Sequence, residues 1–284
     1  MKDAFFYSPF SILYPPPSIR FSCAIGKEFM KPVIVMPMFD PAGLFFPLLQ
    51  RITPQLKKIF GQAYISIPQP TREAQAQHMA WLQGDDFFQT LYHQDEVTVG
   101  EDFLALYNYA AQSCHPDQIL HLGYIDRVAF AIQSDFQQAF VNDVVTVEAK
   151  DTPLLFQRSK AAWNTHPQNY FELEQIVTQV GEILFGKCLD FAWCYLIVQA
   201  RQLQEILPFI KNRDISMVAE VPLLLKDTIH TREVDWLAWE DPFIYARNSH
   251  QLKQEREQSL QETRKRLRYV IPMLQLLEAA IDNQ

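Results

Sequence analysis

Gln118-Ile-Leu-His-Leu-Gly-Tyr-Ile-Asp-Arg-Val-Ala-Phe-Ala131 is the stretch whose reading decides the fold. It opens on a short apolar run behind Pro116-Asp117, which is how a buried strand of a parallel sheet reads. It then delivers Tyr124-Ile125-Asp126-Arg127 before the chain turns apolar again. In an open α/β sheet, ligands bind just beyond the carboxyl ends of the strands. A carboxylate and a guanidinium side by side at such an end are therefore site candidates. The plainer reading of the same pair is an Asp that caps the next turn and an Arg that pairs with it.

Working outward, Pro32 to Asp40 reads as a first buried strand and Leu44 to Phe60 as a helix that Pro54 makes less regular. Gln62 to Pro68 reads as a second strand, and Thr71 as the N-cap of a second helix. A short strand over Glu96–Gly100 and a helix over Asp102–Ser113 lead into the deciding stretch. Beyond it come a short helix after Asp135 and strands at Asp143–Glu148, Pro153–Arg158 and Leu189–Val198. Helices are expected from Phe171 to Leu184, ending at Gly186, from Ala200 to Lys211, and from Ala219. The alternation predicts an α/β fold: a mainly parallel central sheet flanked by helices, with residues 30–245 in one domain. From Ser249 the pattern is one long helix, kinked by Pro272, with Leu260, Leu267, Leu274 and Ile281 every seventh residue. Packing of this 246–284 segment on its own domain is the first expectation, and a homodimer through the helix the second. Arg264-Lys265-Arg266 reads as its solvated face.

Residues 1–29 carry Pro15-Pro16-Pro17 and no amphipathic period, so they read as an N-terminal extension expected to be poorly ordered, with Met30 as a natural start. In the 284 residues, hydrophobic types make up 48% and charged types 20%, ordinary for a globular chain. No apolar run is long enough to span a membrane. A net charge of −8 argues against nucleic acid as the main partner. Cys23, Cys114, Cys188 and Cys194 show no C-x-x-C spacing and read as reduced thiols of a cytoplasmic protein. The 8 glycines form no dinucleotide or P-loop motif, and the 7 histidines offer no zinc set.

The deciding stretch resembles the middle strand of the GT-A glycosyltransferases (nucleotide-diphospho-sugar transferases), in particular a bacterial group similar to glucosyl- and mannosyl-3-phosphoglycerate synthases. There the strand ends in Asp-X-Asp followed by Arg, and the two carboxylates hold a divalent cation on a nucleotide diphosphate. Here Tyr124 replaces the first carboxylate, while Asp126 and Arg127 remain. Arg158 and Thr165-His166-Pro167 are similar to a second element of that group, and Val234 to Pro242 resembles its closing strand.

The resemblance implies a nucleotide-sugar donor, an unknown acceptor, and Mg²⁺ or Mn²⁺ on Asp126. It places Asp40 at the nucleoside and Asp190 on the acceptor side. Tyr124, Arg127, Arg158 and His166 are substrate-binding candidates; Asp190 and Glu220 are candidates for a base or an acceptor-orienting group. Each has a plainer reading. Asp40-Pro41 is a common turn opener, Arg158 a helix-end ion pair, Asp190 and Glu220 caps, and Trp236 and Trp239 core aromatics rather than sugar platforms. Three function classes follow: a glycosyltransferase, a nucleotide-sugar-binding relative that has lost catalysis, and a structural or assembly protein.

Overall fold

The computed structural model describes residues 30–281. The expectation for residues 1–29 lies outside them. From Lys31 on, the chain forms one compact unit.

Seven strands make one sheet: β1 (Val33–Pro37), β2 (Gln62–Ile67), β3 (Phe88–Tyr92), β4 (Ile119–Gly123), β5 (Leu154–Arg158), β6 (Tyr195–Gln199) and β7 (His230–Val234). Between β1 and β2 lies α1 (Phe45–Ile59), and between β2 and β3 lie α2 (Gln69–Ala74) and α3 (Ala76–Gln83). The next helix, α4 (Val99–Ser113), leads to β4; α5 (Ile125–Gln133) and α6 (Gln137–Val145) lead to β5. Helices α7 (Lys160–Thr165) and α8 (Gln168–Phe185) precede β6, and α9 (Ala200–Ile206) and α10 (Met217–Leu224) precede β7. The described chain closes with α11 (Asp241–Ile244), α12 (Ser249–Gln258) and α13 (Leu260–Ala279).

The sheet order is β3-β2-β1-β4-β6-β5-β7, and only β6 runs against its neighbours. The predicted α/β architecture is therefore what the chain adopts. Alternation along the strands feeds a core on each face. Val33 and Val35 join Leu120, Leu122, Leu196 and Val198 on one side, while Ile34 and Met36 join Ile65, Phe156 and Ile197 on the other.

Several boundaries differ from the expected ones, each for a local reason. Glu96–Gly100 is not a strand. Thr98 caps α4, with its hydroxyl accepting from Glu101 N and the Glu101 carboxylate accepting from Thr98 N, a capping box. Asp143–Glu148 is not a strand either; the start of that run ends α6, with Phe140 and Val144 inward at helical spacing. Thr71 lies inside α2 rather than capping it. Only Tyr195–Gln199 of the run from Leu189 is extended sheet, and the run from Val234 leaves the sheet at once. The C-terminal segment is two helices, because Ser259 breaks the first and caps the second through Glu262 N. Pro272 is accommodated within α13.

α13 packs against α8 and α10. The face that does so is not the expected one. Val270, Met273 and Leu277 are buried, Leu267 and Leu274 are half-buried, and Leu260 is 86% exposed.

Candidate functional site

β1 hands the chain outward to β2 and β3, whereas β4 hands it the other way, so the order reverses between these two neighbours. A crevice at such a point, outside the carboxyl ends of the strands, is where an open α/β sheet takes its ligand. A cleft of about 540 Å³ lies there. Its walls include Pro37 at the end of β1, Tyr124, Asp126 and Arg127 after β4, Phe103 of α4, Trp193, and Glu240. α13 supplies Lys265, Arg266 and Tyr269.

The strand ends at Gly123, three residues before the expected end at Asp126, and this changes the geometry of the deciding motif. Tyr124 is the N-cap residue of α5, and Asp126 and Arg127 sit in its first turn. The strand period that would put Tyr124 and Asp126 on one face does not apply. The Tyr124 ring lies 5.8 Å from that of Phe103 and 6.2 Å from that of Trp193, part of an aromatic wall. Burial, with Tyr107 nearby, pushes its phenol well above the usual range. Asp126 Oδ1 accepts from Arg127 N at 2.8 Å, at the end of the helix whose dipole favours an anion. Burial still holds its proton affinity above the usual carboxylate value, with Arg127 opposing and Asp241 assisting.

Under the cleft runs a line of alternating charges. Arg158 is clamped bidentately: Nε donates to Asp190 Oδ2 at 2.9 Å and Nη2 to Asp190 Oδ1 at 2.8 Å. Its Nη1 donates to Glu174 Oε2 at 2.6 Å, and the guanidinium stacks 3.6 Å from the Trp163 ring centre. The other Glu174 oxygen accepts from Arg266 Nη1 at 2.5 Å, and Arg266 lies 4.0 Å from the Tyr170 ring centre. Burial alone would raise the Glu174 carboxyl, but Arg158 and Arg266 outweigh it and hold it low. Arg127 pairs with Glu240 and donates to Ala238 O at 3.1 Å. Burial, reinforced by Asp126 and Asp241, pushes Glu240 up to about 8 despite Arg127. His166 donates from Nδ1 to Ala162 O at 3.0 Å, leaving Nε2 toward Arg127. Burial and the guanidiniums of Arg127 and Arg158 hold it well below its usual value, so it is the neutral tautomer.

The structure thus brings Tyr124, Asp126, Arg127 and Arg158 to one cleft, and places His166 behind it in a polar pit of about 80 Å³. Three other candidates do not line the cleft. Asp40 is a helix cap, accepting from Leu44 N and Phe45 N at 2.7 Å and Phe46 N at 3.1 Å. Asp190 is the orienting partner of Arg158. Glu220 holds a loop, accepting from Lys211 N, Asn212 N and Asn212 Nδ2. The plainer readings of Trp236 and Trp239 hold too; both are buried, and Trp236 lies in an aromatic cluster with Phe140, Phe156 and Tyr195. Arg158 is not an open phosphate clamp, because Asp190 and Glu174 already engage it.

Residues that the sequence does not single out as site candidates complete the cleft: Trp193, Glu240, Tyr269, and Lys265 and Arg266 of the run expected to be a solvated face. A signal existed for one of them. Glu240 and Asp241 precede Pro242, and a buried arginine such as Arg127 needs a carboxylate partner. For a divalent cation, no group of three or more His, Cys, Asp or Glu gathers among the described residues. Mg²⁺ needs only one or two carboxylates when phosphates and waters fill the remaining positions, and Asp126 on the cleft wall fits that mode. No family model matches the chain, and a search of curated proteins finds no match.

Proposed function

We propose that this cleft binds a nucleotide-sugar and that the protein is a glycosyltransferase of the GT-A kind. One observation carries the reading: Asp126 opens onto a cleft at the reversal point of the sheet, directly after β4, at the place the resemblance gives to the diphosphate. Asp126 would hold Mg²⁺ or Mn²⁺, whose chemistry is to neutralise the leaving diphosphate. The transfer breaks the anomeric carbon–oxygen bond to that diphosphate and forms a bond to an acceptor oxygen, whose proton is lost. Among the chain's own groups, the Asp190–Arg158–Glu174 line fixes the floor, and the aromatic wall of Phe103, Tyr124 and Trp193 offers apolar faces to a sugar or base.

Tyr124 favours a second reading, a nucleotide-sugar-binding relative without turnover, since an aromatic stands where the resemblance expects a carboxylate. An assembly role would have to use what α13 leaves outside, namely Leu260 and Ile271, with Ile281 beyond the helix. Reduced thiols at Cys114, Cys188 and Cys194 accord with a cytoplasmic setting, and no helix among the described residues is long and apolar enough to cross a membrane.

A thermal-shift panel of UDP-, GDP- and ADP-sugars with and without Mn²⁺ tests the binding. A shift that Asp126→Ala abolishes supports it, and no shift with any donor sinks both nucleotide-sugar readings. Release of nucleoside diphosphate separates enzyme from binder.

A further inference from the structure

Resting on the nucleotide-sugar reading, we propose that Lys265 of α13 is the cation that meets the diphosphate in the cleft, so that the C-terminal helix is part of the binding site. Four basic side chains line the cleft: Arg127, Arg158, Lys265 and Arg266. Three are committed. Arg127 is paired with Glu240, Arg158 with Asp190 and Glu174, and Arg266 with the second oxygen of Glu174. Lys265 forms no ion pair among the described residues. Glu262, one turn earlier on the same helix, is held at short range by Arg256 and by the Tyr170 hydroxyl, with Lys265 adding a weaker attraction.

A diphosphate entering this cleft meets the carboxyl groups of Asp126 and Glu240, and Arg158 and Arg266 below it are neutralised by Asp190 and Glu174. The least engaged positive charge is at Lys265, which is exposed and interacts only at longer range with Glu262 one turn back. Its ammonium is a compact charge on a flexible stem, suited to phosphate oxygens in several geometries. It lines both the cleft and the polar pit behind it, so it stands where the two meet. The backbone beneath it is well fixed. Arg266 next to it is clamped to Glu174 and stacked on Tyr170, and Val270 and Met273 further along are buried. Only the lysine side chain has to move.

The alternative is a solvated lysine at the rim, and neighbouring Arg264 is the internal comparison: it is also exposed but does not line the cleft. Calorimetry on the full chain with UDP, GDP and ADP in Mg²⁺, and with inorganic pyrophosphate, tests the proposal on wild type, Lys265→Ala, Lys265→Arg and Arg264→Ala. Loss of one charge-assisted contact weakens binding on the order of ten- to a hundredfold. The expected result is that loss for Lys265→Ala, partial recovery for Lys265→Arg, and little change for Arg264→Ala. Equal binding by wild type and Lys265→Ala overturns the proposal and leaves the nucleotide reading standing. Lysine-dependent binding of pyrophosphate without binding of any nucleotide supports the anion contact and refutes the nucleotide reading. Binding of neither overturns both.

Discussion

Arg158 and Asp190 meet edge to edge, two parallel N–H···O bonds of 2.9 and 2.8 Å between side chains that are 2% and 8% exposed. Removing one partner of such a pair strands a charge in the interior, at a cost of about 3–5 kcal/mol. Asp190→Ala should therefore lower stability by that order in urea unfolding, before any question of activity arises. A stable Asp190→Ala protein that has lost only turnover would restore Asp190 as a base.

Glu240 makes stability depend on pH in a defined window. Its folded value, about 8, lies above the usual 4.5, so its contribution is fully present below pH 4.5 and is lost as pH rises toward 8. His166, held low, acts the other way: its contribution is lost as pH falls below its usual 6.5. Between about pH 6.5 and 8 the glutamate contributes a slope of at most about 1.4 kcal/mol per pH unit, and Asp126, also raised by burial, acts in the same direction. Melting temperatures across that range should fall for wild type and stay flatter for Glu240→Gln. Parallel curves would mean that Arg127 keeps Glu240 ionised throughout.

Gly181 of α8 faces a ring at close quarters: a Cβ there would lie 2.1 Å from Phe191 Cε2. Alanine gains about 1 kcal/mol of helix propensity but meets a fully buried aromatic, and overpacking costs about 1–3 kcal/mol or more. At that separation the clash dominates, so Gly181→Ala should destabilise. A higher melting temperature would show that Phe191 can shift.

The two ends of the α13 pattern should respond oppositely. Leu277→Ala removes a fully buried side chain and should cost about 2–5 kcal/mol, whereas Leu260→Ala should stay within about 0.5 kcal/mol. Equal losses at both positions would point to burial of Leu260 by a second molecule.

The strand–helix alternation was legible because β1, β2 and β4 are short apolar runs with turn residues beside them. Other apolar runs misled. Leu189–Cys194 and Trp236–Ala238 are as apolar as strands, yet they are core-filling loops whose place is set by Arg158 and Arg127, contacts no local pattern encodes. Asp126 was legible as a polar residue beyond the end of β4, where the cleft lies, though the start of α5 at Ile125 was not. α13 was legible as a helix but not in its rotation. Apolar residues occur on much of its circumference, and its facing is fixed by the salt bridge of Arg266 to Glu174 and its stacking on Tyr170. That rotation is what hid Lys265 in a run that reads as solvent-facing.

Because α13 lines the cleft opposite residues from the start of the sheet, the pocket spans contacts from Pro37 to Met273. A nascent chain synthesised only as far as β7 could fold much of the sheet but would have a cleft missing one wall. On the nucleotide-sugar proposal, ligand affinity would then arise late, once Glu240 is in place and α13 has docked. Protection of that helix from protease by a bound nucleotide would gauge how tightly occupancy and docking are coupled.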